Sequence, residues 1–349
     1  MRVLYLYCEV MPYNAAALES LVKLNSQVTI DIFSWGRKKK LTPFIPPEIE
    51  RVNYHTEADF DFEHLLTLYR INDYKLIYIC NRREKKYLQL ARYARKRGTI
   101  IIGQSDEQLY GGLRQYIKKV FSYFLYRRYF DYMFVPGYFQ YEFMRYLGFK
   151  KEKILIGAYT ANISLFDDFY HRNNVIGDKR TKRLLYIGRL EAEKGIELFI
   201  KALSKIDHSY NFKFVVIGNG SLKNILSSYS FIEHYPFMDQ PTIVNLLSDI
   251  DFFVLPSNYE PWGVVIHEMA AAGIPIICSD ACGARASFVF NNYNGFIFKN
   301  NSLDSIIGVL KEAYVIPKER MLEFKRRSNE LAKSITPDLW GETINSFLR

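Results

Sequence analysis

Residues 252–278, FFVLPSNYEPWGVVIHEMAAAGIPIIC, place two glutamates, Glu260 and Glu268, eight positions apart in a stretch of mixed apolar and turn-forming residues. An ionised carboxylate accepts hydrogen bonds and donates none, so a pair of them suits a ligand rich in hydroxyl groups, such as a sugar or a ribose. The surrounding pattern predicts where they sit. Residues 252–255 read as a buried strand, 256–261 as a loop that holds Glu260, and Gly263 opens a helix that Gly273 closes before a second buried strand at 274–278. Open α/β sheets bind ligands at the carboxyl ends of their strands. The helix start at Gly263 and Val264 presents unpaired amides to an anion such as a diphosphate.

A second chemical segment precedes it. Tyr186-Ile-Gly-Arg-Leu-Glu-Ala-Glu-Lys-Gly195 reads as a strand end, a loop with Gly188, Arg189 and Lys194, and a helix start. Two cations there could clamp a diphosphate and neutralise charge on a leaving group. Gly218 and Gly220 form a further strand–turn–helix signal that on its own is weak, since a tight turn explains it equally well. Metal-dependent chemistry would call for an Asp-x-Asp pair at a strand end. Asp59/Asp61 and Asp249/Asp251 match that string, but both sit where solvated or capping carboxylates are ordinary. Cys278 and Cys282 have a metal-like gap without a second ligand pair.

The string P-S-x-x-E-P-W-G followed by E-M-A-A-A-G-I-P resembles the E-x7-E signature of the retaining family 4 glycosyltransferases, and Gly188-Arg189 with Lys194-Gly195 is similar to that family's G-R-x-x-x-x-K-G pattern. The resemblance implies a GT-B fold: α/β, two Rossmann-like domains whose parallel sheets face a central cleft. It implies a nucleotide-sugar donor, most simply a UDP- or GDP-sugar, whose diphosphate meets Arg189, Lys194 and the amides near Gly263 and Val264. Glu268 then accepts from the ribose and Glu260 from the donor sugar, while Gly188, Gly218 and Gly220 line the donor site. Neither a metal nor a resident cofactor is implied. Retention in the family needs no protein nucleophile, so His267 is expected to be packed rather than to act as a base. The first half departs from the pattern. The loop after the first strand, Glu9-Val-Met-Pro-Tyr-Asn14, holds no glycine, and the 103–108 stretch has Asp106 where relatives often carry a histidine. Asp106 is the candidate polar group there, with a helix N-cap as its ordinary alternative.

These elements must belong to a large chain. With 349 residues and 49% apolar content it exceeds one ordinary core, and two domains are expected. Strands at 3–8, 27–34, 76–80, 99–103, 132–135 and 153–156 alternate with helices, notably at 15–24, 83–97 and 113–130. After a polar linker at 173–182 the alternation resumes, with strands at 183–186, 213–217, 252–255, 275–278 and 295–298. Helices are expected at 196–206, 221–228, 240–247, 264–272 and 303–313. The domains expected are 1–170 for the acceptor, 180–333 for the nucleotide sugar, and a terminal helix at 334–349 that crosses back to the first domain by analogy with GT-B proteins. The four cysteines read as free thiols of a reducing compartment.

The net charge of +10 is uneven: residues 1–170 hold 26 Lys/Arg against 18 Asp/Glu, the remainder 21 against 19. An excess confined to one half points to an anionic partner there. Within it, residues 113–130 combine Arg114, Lys118, Lys119, Arg127 and Arg128 with many aromatic rings, a combination that suits an anionic membrane surface. No recognition motif accompanies the charge, so nucleic acid is not expected. No apolar run reaches the ~18 residues of a spanning helix, and the chain's start reads as a strand rather than a signal peptide.

The combined expectation is a metal-independent, retaining glycosyltransferase acting on a lipid-linked or polysaccharide acceptor. The resemblance suggests bacterial surface-polysaccharide (lipopolysaccharide-like) biosynthesis, in the cytoplasm at the inner face of the membrane. A nucleotide-sugar epimerase of the same fold would need more acid/base residues. A non-catalytic nucleotide-sugar-binding or membrane-scaffold protein is the alternative from another class.

Overall fold

The computed structural model describes residues 1–34, 44–56, 73–80, 84–173, 181–207 and 209–349. The chain divides into two units, Met1–Asn162 with Ile335–Arg349, and Ile163–Ser334. In the first, strands β1 (Arg2–Leu6), β2 (Thr29–Ser34), β3 (Val52–Thr56), β4 (Tyr74–Ile79), β5 (Ile100–Gln104), β6 (Tyr132–Val135) and β7 (Ile154–Ile156) form a parallel sheet ordered β3-β2-β1-β4-β5-β6-β7. Side chains alternate between its faces. Leu4, Leu6, Ile77 and Ile79 enter one apolar cluster, whereas Val3, Tyr5, Leu76 and Tyr78 enter the other. A parallel strand buried on both faces therefore reads as one apolar run, which is why these strands are visible in the sequence.

The terminal helix Pro337–Asn345 lies against the helix Pro12–Leu24 of the same unit. Trp340 meets Tyr5 edge-on with ring centres 6.2 Å apart, Ser20 Oγ donates to Asp338 at 2.6 Å, and Asn25 donates to Asn345 at 2.8 Å. Gly341 is required by close approach: a Cβ there would fall 2.9 Å from Ser20 Oγ and 3.2 Å from the Leu21 backbone nitrogen.

The second unit carries β8 (Lys182–Ile187), β9 (Phe212–Ile217), β10 (Ile232–Tyr235), β11 (Phe252–Leu255), β12 (Ile276–Ser279) and β13 (Gly295–Phe298), again all parallel, in the order β10-β9-β8-β11-β12-β13. Strand order reverses between β8 and β11, and between β1 and β4 in the first unit. Such reversal points open crevices at the carboxyl ends of the strands. The helix Ile163–Arg172, which the sequence reading leaves with the first domain, belongs to this unit. It packs on the helices Val264–Ala271 and Lys318–Ala332, with Asp167 accepting from Asn329 at 2.6 Å and pairing with Lys333 at 3.1 Å.

The α/β expectation with two parallel sheets holds. Edge strands β3 and β10 lie outside it, as do the helices Ile163–Arg172 and Lys318–Ala332. The long helix expected at 113–130 is an α-helix only over Leu113–Val120, followed by a π turn at Tyr123–Arg127. Asp59 and Asp61 lie outside the described residues. Asp251 stands at the amino end of β11, where its carboxylate accepts from the Arg183 amide at 2.8 Å, so it serves the sheet. Among the described residues no helix is long and apolar enough to cross a membrane.

Candidate active site

The two chemical segments meet at the reversal point of the second unit. β8 and β11 are direct neighbours, with Phe252 beside Leu184 and Phe253 beside Leu185. Their carboxyl ends therefore release the loops that carry Arg189/Lys194 and Glu260 side by side. The first loop is built by backbone contact. Gly188 N donates to Ile217 O at 3.0 Å, Leu190 N to Asn219 O at 2.9 Å, and Leu222 N to Leu190 O at 3.0 Å. This packing explains the glycine turn. A Cβ on Gly218 would lie 1.9 Å from Gly188 O, and one on Gly220 2.4 Å from Leu190 O. Both glycines also hold positive φ, a conformation that L side chains rarely adopt. They let one loop lie on the other and so fix the path of Arg189. Tyr186 closes the same loop by donating its hydroxyl to Arg189 O at 2.7 Å. Its phenol is held well above the ordinary range by burial and, second, by Glu260, so it remains a donor.

Lys194 Nζ lies 2.6 Å from Glu260 Oε2, with side chains only 15% and 12% exposed. Ser257 Oγ adds a longer contact to the same oxygen at 3.4 Å. The Glu260 loop is pinned from behind, since Gly283 N donates to Glu260 O at 2.9 Å and Ala284 N to Trp262 O at 2.8 Å. Arg189 is more exposed and pairs with Glu193 at 2.9 Å. Glu193 also receives the Asn258 amide on its carbonyl at 2.8 Å, which ties the two loops together. The site thus brings Gly188, Arg189, Lys194, Gly218, Gly220 and Glu260 into one neighbourhood.

Gly263, at φ +93°, ends the Glu260 loop and starts the helix Val264–Ala271. The first amides of a helix have no partner within it, so Gly263 and Val264 offer N–H groups beside the Glu260 loop. One turn on, Glu268 accepts from Gln240 Nε2 at 2.6 Å. Burial pushes its carboxyl up to about 7, and the Gln240 hydrogen bond offsets only part of this. His267 turns the other way. It is fully buried, its Nε2 meets Ala332 O at 2.8 Å, and its ring stacks on Phe288 with centres 4.0 Å apart. Burial lowers it to about 4, leaving it neutral and structural.

In the first unit, Asp106 follows β5 and is not a helix cap, since the next helix starts at Leu113 behind Gly112. Burial, and next the Asp106 carboxylate, hold the Tyr159 phenol far above its ordinary value. Tyr13 packs edge-on against Tyr159 at 5.3 Å. The glycine-free loop after β1 is closed by Asn14, whose side chain accepts from the Met11 amide at 2.9 Å, and Pro12 opens the helix. Of the five basic residues expected to meet an anionic surface, Arg114, Lys119 and Arg127 are exposed. Lys118 is paired with Glu107, and Arg128 is half-buried, with its guanidinium 4.6 Å from the Tyr129 ring centre.

Sequence reasoning missed Gln240 and Glu193 as parts of the site. The spacing of Arg189 and Glu193, four apart, was an available signal; nothing local marks Gln240.

Residues 168–329 match the family model described as glycosyl transferases group 1. Over 155 residues the chain is 30% identical to an uncharacterised glycosyltransferase of Methanocaldococcus jannaschii, covering 42% of this chain and 40% of that one. It is 27% identical over 222 residues to a capsular polysaccharide biosynthesis glycosyltransferase of Staphylococcus aureus, covering 57% of each. The chain thus spans about half the length of these relatives. The solved structure of Anabaena HepE with UDP and glucose superposes on 100% of this chain and 99% of its own, with a TM-score of 0.72 at 16% identity. The fold is of the GT-B glycosyltransferase type.

Proposed function

We propose, from the match of residues 168–329 to the glycosyl transferases group 1 family, that the chain is a retaining, metal-independent glycosyltransferase using a nucleotide-sugar donor. The observation that carries the reading is the junction of two loops at the carboxyl ends of β8 and β11, which sets Lys194 2.6 Å from Glu260. An ammonium next to a carboxylate at a crevice gives one group for a leaving diphosphate and one for sugar hydroxyls.

In this reading the diphosphate lies on Arg189, Lys194 and the amides at Gly263 and Val264, and the fixed positive charge stabilises the departing group. Lys194 exchanges part of its contact with Glu260 for phosphate oxygen, which leaves Glu260 to accept from the sugar. Glu268, once ionised, accepts from the ribose hydroxyls. The bond from the anomeric carbon to phosphate oxygen breaks as the bond to the acceptor oxygen forms on the same face. The acceptor's proton passes to the departing phosphate. No protein nucleophile is needed, which agrees with the neutral, packed state of His267. Asp106, in the first unit, is a candidate for orienting the acceptor or the sugar.

The Staphylococcus aureus relative is named for capsular polysaccharide biosynthesis, and the structure of Anabaena HepE holds UDP and glucose. These support a UDP-sugar donor and a glycan acceptor; a lipid-linked acceptor, handled in the cytoplasm at a membrane face, is the further part of the proposal. A thermal-shift screen against UDP, GDP, ADP, CMP, dTDP and their sugars in EDTA tests the reading, since a ligand of the folded state raises Tm. Stabilisation by one nucleoside diphosphate in EDTA is expected. No shift from any would remove the donor site, and binding without transfer to any glycan or lipid acceptor would favour a non-catalytic protein.

A further inference from the structure

The segment 109–125 is inside out. Ten of the 22 exposed large apolar side chains among the described residues fall within these 17 positions. Leu113, Tyr116, Ile117, Val120, Phe121 and Phe124 are each between 47% and 74% exposed. Their spacing of three and four puts them on one face of the helix Leu113–Val120 and its continuation into the π turn Tyr123–Arg127. The side chains turned inward include polar ones, Gln115 and Ser122. Gln115 anchors the segment by accepting from the amides of Tyr110 and Gly111 at 2.8 and 2.9 Å and donating to Gln108 O at 2.7 Å. Arg95 holds the far end through the carbonyl of Arg128 at 2.9 Å. The apolar face is thus presented on a fixed support, and a helix that offers apolar side chains to water marks an interaction surface.

Charge identifies the partner. Between Glu107 and Asp131 the chain has no acidic residue and five basic ones. Three of these, Arg114, Lys119 and Arg127, are exposed beside the apolar face. A second copy of this chain would bring like charges together across such a contact. An apolar partner face alone would leave the cations unused. We propose that residues 109–128 dock in the interface of an anionic lipid bilayer, with the aromatic and aliphatic side chains at headgroup depth and Arg114, Lys119 and Arg127 on lipid phosphates. Lys118, taken up by Glu107, supports the helix instead. Bilayer docking by this unit is independent of the donor chemistry in the other, and its test reads no transfer.

Flotation of the full chain is measured with vesicles of phosphatidylglycerol and phosphatidylcholine, and with phosphatidylcholine alone. Binding to the anionic vesicles is expected, at least tenfold tighter than to the neutral ones. Substituting Arg114, Lys119 and Arg127 together by Gln should weaken it by roughly 100-fold at low salt, at about fivefold per cation near the surface. Ile117→Glu with Phe121→Glu should abolish it at unchanged Tm, because both side chains are exposed. Phe121→Trp should show a blue-shifted emission on anionic vesicles only. Failure of the folded wild-type chain to float with anionic vesicles overturns the proposal. So does unshifted emission from a bound Phe121→Trp chain, or a dimer in solution that the glutamate pair dissolves.

Discussion

Lys194 Nζ stands 2.6 Å from Glu260 Oε2, and neither side chain is more than 15% exposed. The two residues are 66 positions apart and come from loops after two adjacent parallel strands. Each neutralises the other, so the proposed donor site holds these two charges as a balanced pair. In the proposed mechanism a diphosphate brings negative charge to Lys194 and releases the Glu260 carboxylate for hydroxyl groups.

The roles separate under substitution. Lys194→Ala is expected to weaken nucleoside diphosphate binding by about 10- to 100-fold, the loss of one charge-assisted contact. Glu260→Ala should leave diphosphate affinity within about threefold but lower transfer by about 100-fold or more. Calorimetry and a transfer assay on both variants distinguish them. Equal losses in both quantities for both variants would contradict the assignment.

If Glu268 accepts from the donor's ribose as proposed, donor binding should depend on pH. Its folded carboxyl titrates at about 7, above the ordinary 4.5, so between these values the folded state holds more proton than the unfolded one. Stability therefore falls as pH rises from about 4.5 to 7, and the full penalty of about 3 kcal/mol is present above 7. Glu268→Gln should melt higher than wild type at pH 8 and equally at pH 4.5. Nucleoside diphosphate binding by the wild type should tighten from pH 6 to 8, as the carboxylate that accepts from ribose forms, and this slope should vanish in the variant.

His267 gives the opposite window. Burial lowers its folded pKa to about 4 from 6.5, so its unfolded form binds the proton first. Stability is full above 6.5 and declines as pH falls towards 4, by up to about 3 kcal/mol. His267→Phe should lose the Ala332 hydrogen bond and melt lower at pH 8, yet decline less on acidification. Its transfer rate per folded molecule should stay within about threefold of wild type. A hundredfold loss of rate would make His267 catalytic.

The glycine turn is tested by its neighbour. Gly218→Ala puts a methyl group 1.9 Å from Gly188 O, a distance that forces the backbones apart. A cost of about 2 kcal/mol or more is expected, with weaker diphosphate binding because the Arg189 loop moves. A variant with normal Tm and normal affinity would show that this packing is dispensable.

Most of the site was legible because its residues sit next to the strands that position them. Glu260, Arg189 and Lys194 follow apolar runs buried on both faces, and such runs announce themselves. The two edge strands did not. β3 (VNYHT) and β10 (IEHY) are half-exposed and mix polar with apolar residues, so neither periodicity nor apolar content marks them. Gln240 was hidden for another reason: its partner Glu268 is 28 positions away, and only the fold brings them together. Gly218 and Gly220 were seen, but their cause lies in the carbonyls of Gly188 and Leu190, which no local pattern reveals. The basic aromatic segment could be found from its composition. Which of its faces meets water depends on Gln115 and Ser122 turning inward, against the usual ordering of polarity.

The proposed function stands on a metal-independent diphosphate site built on Lys194 and Arg189. Calorimetric titration of the wild type, Lys194→Ala and Arg189→Ala with the stabilising nucleoside diphosphate, all in EDTA, decides whether that site exists. Saturable one-site binding by the wild type, weakened at least tenfold by Lys194→Ala and measurably by Arg189→Ala, is the predicted result. Wild-type binding that disappears in EDTA, or that survives both substitutions unchanged, would contradict it.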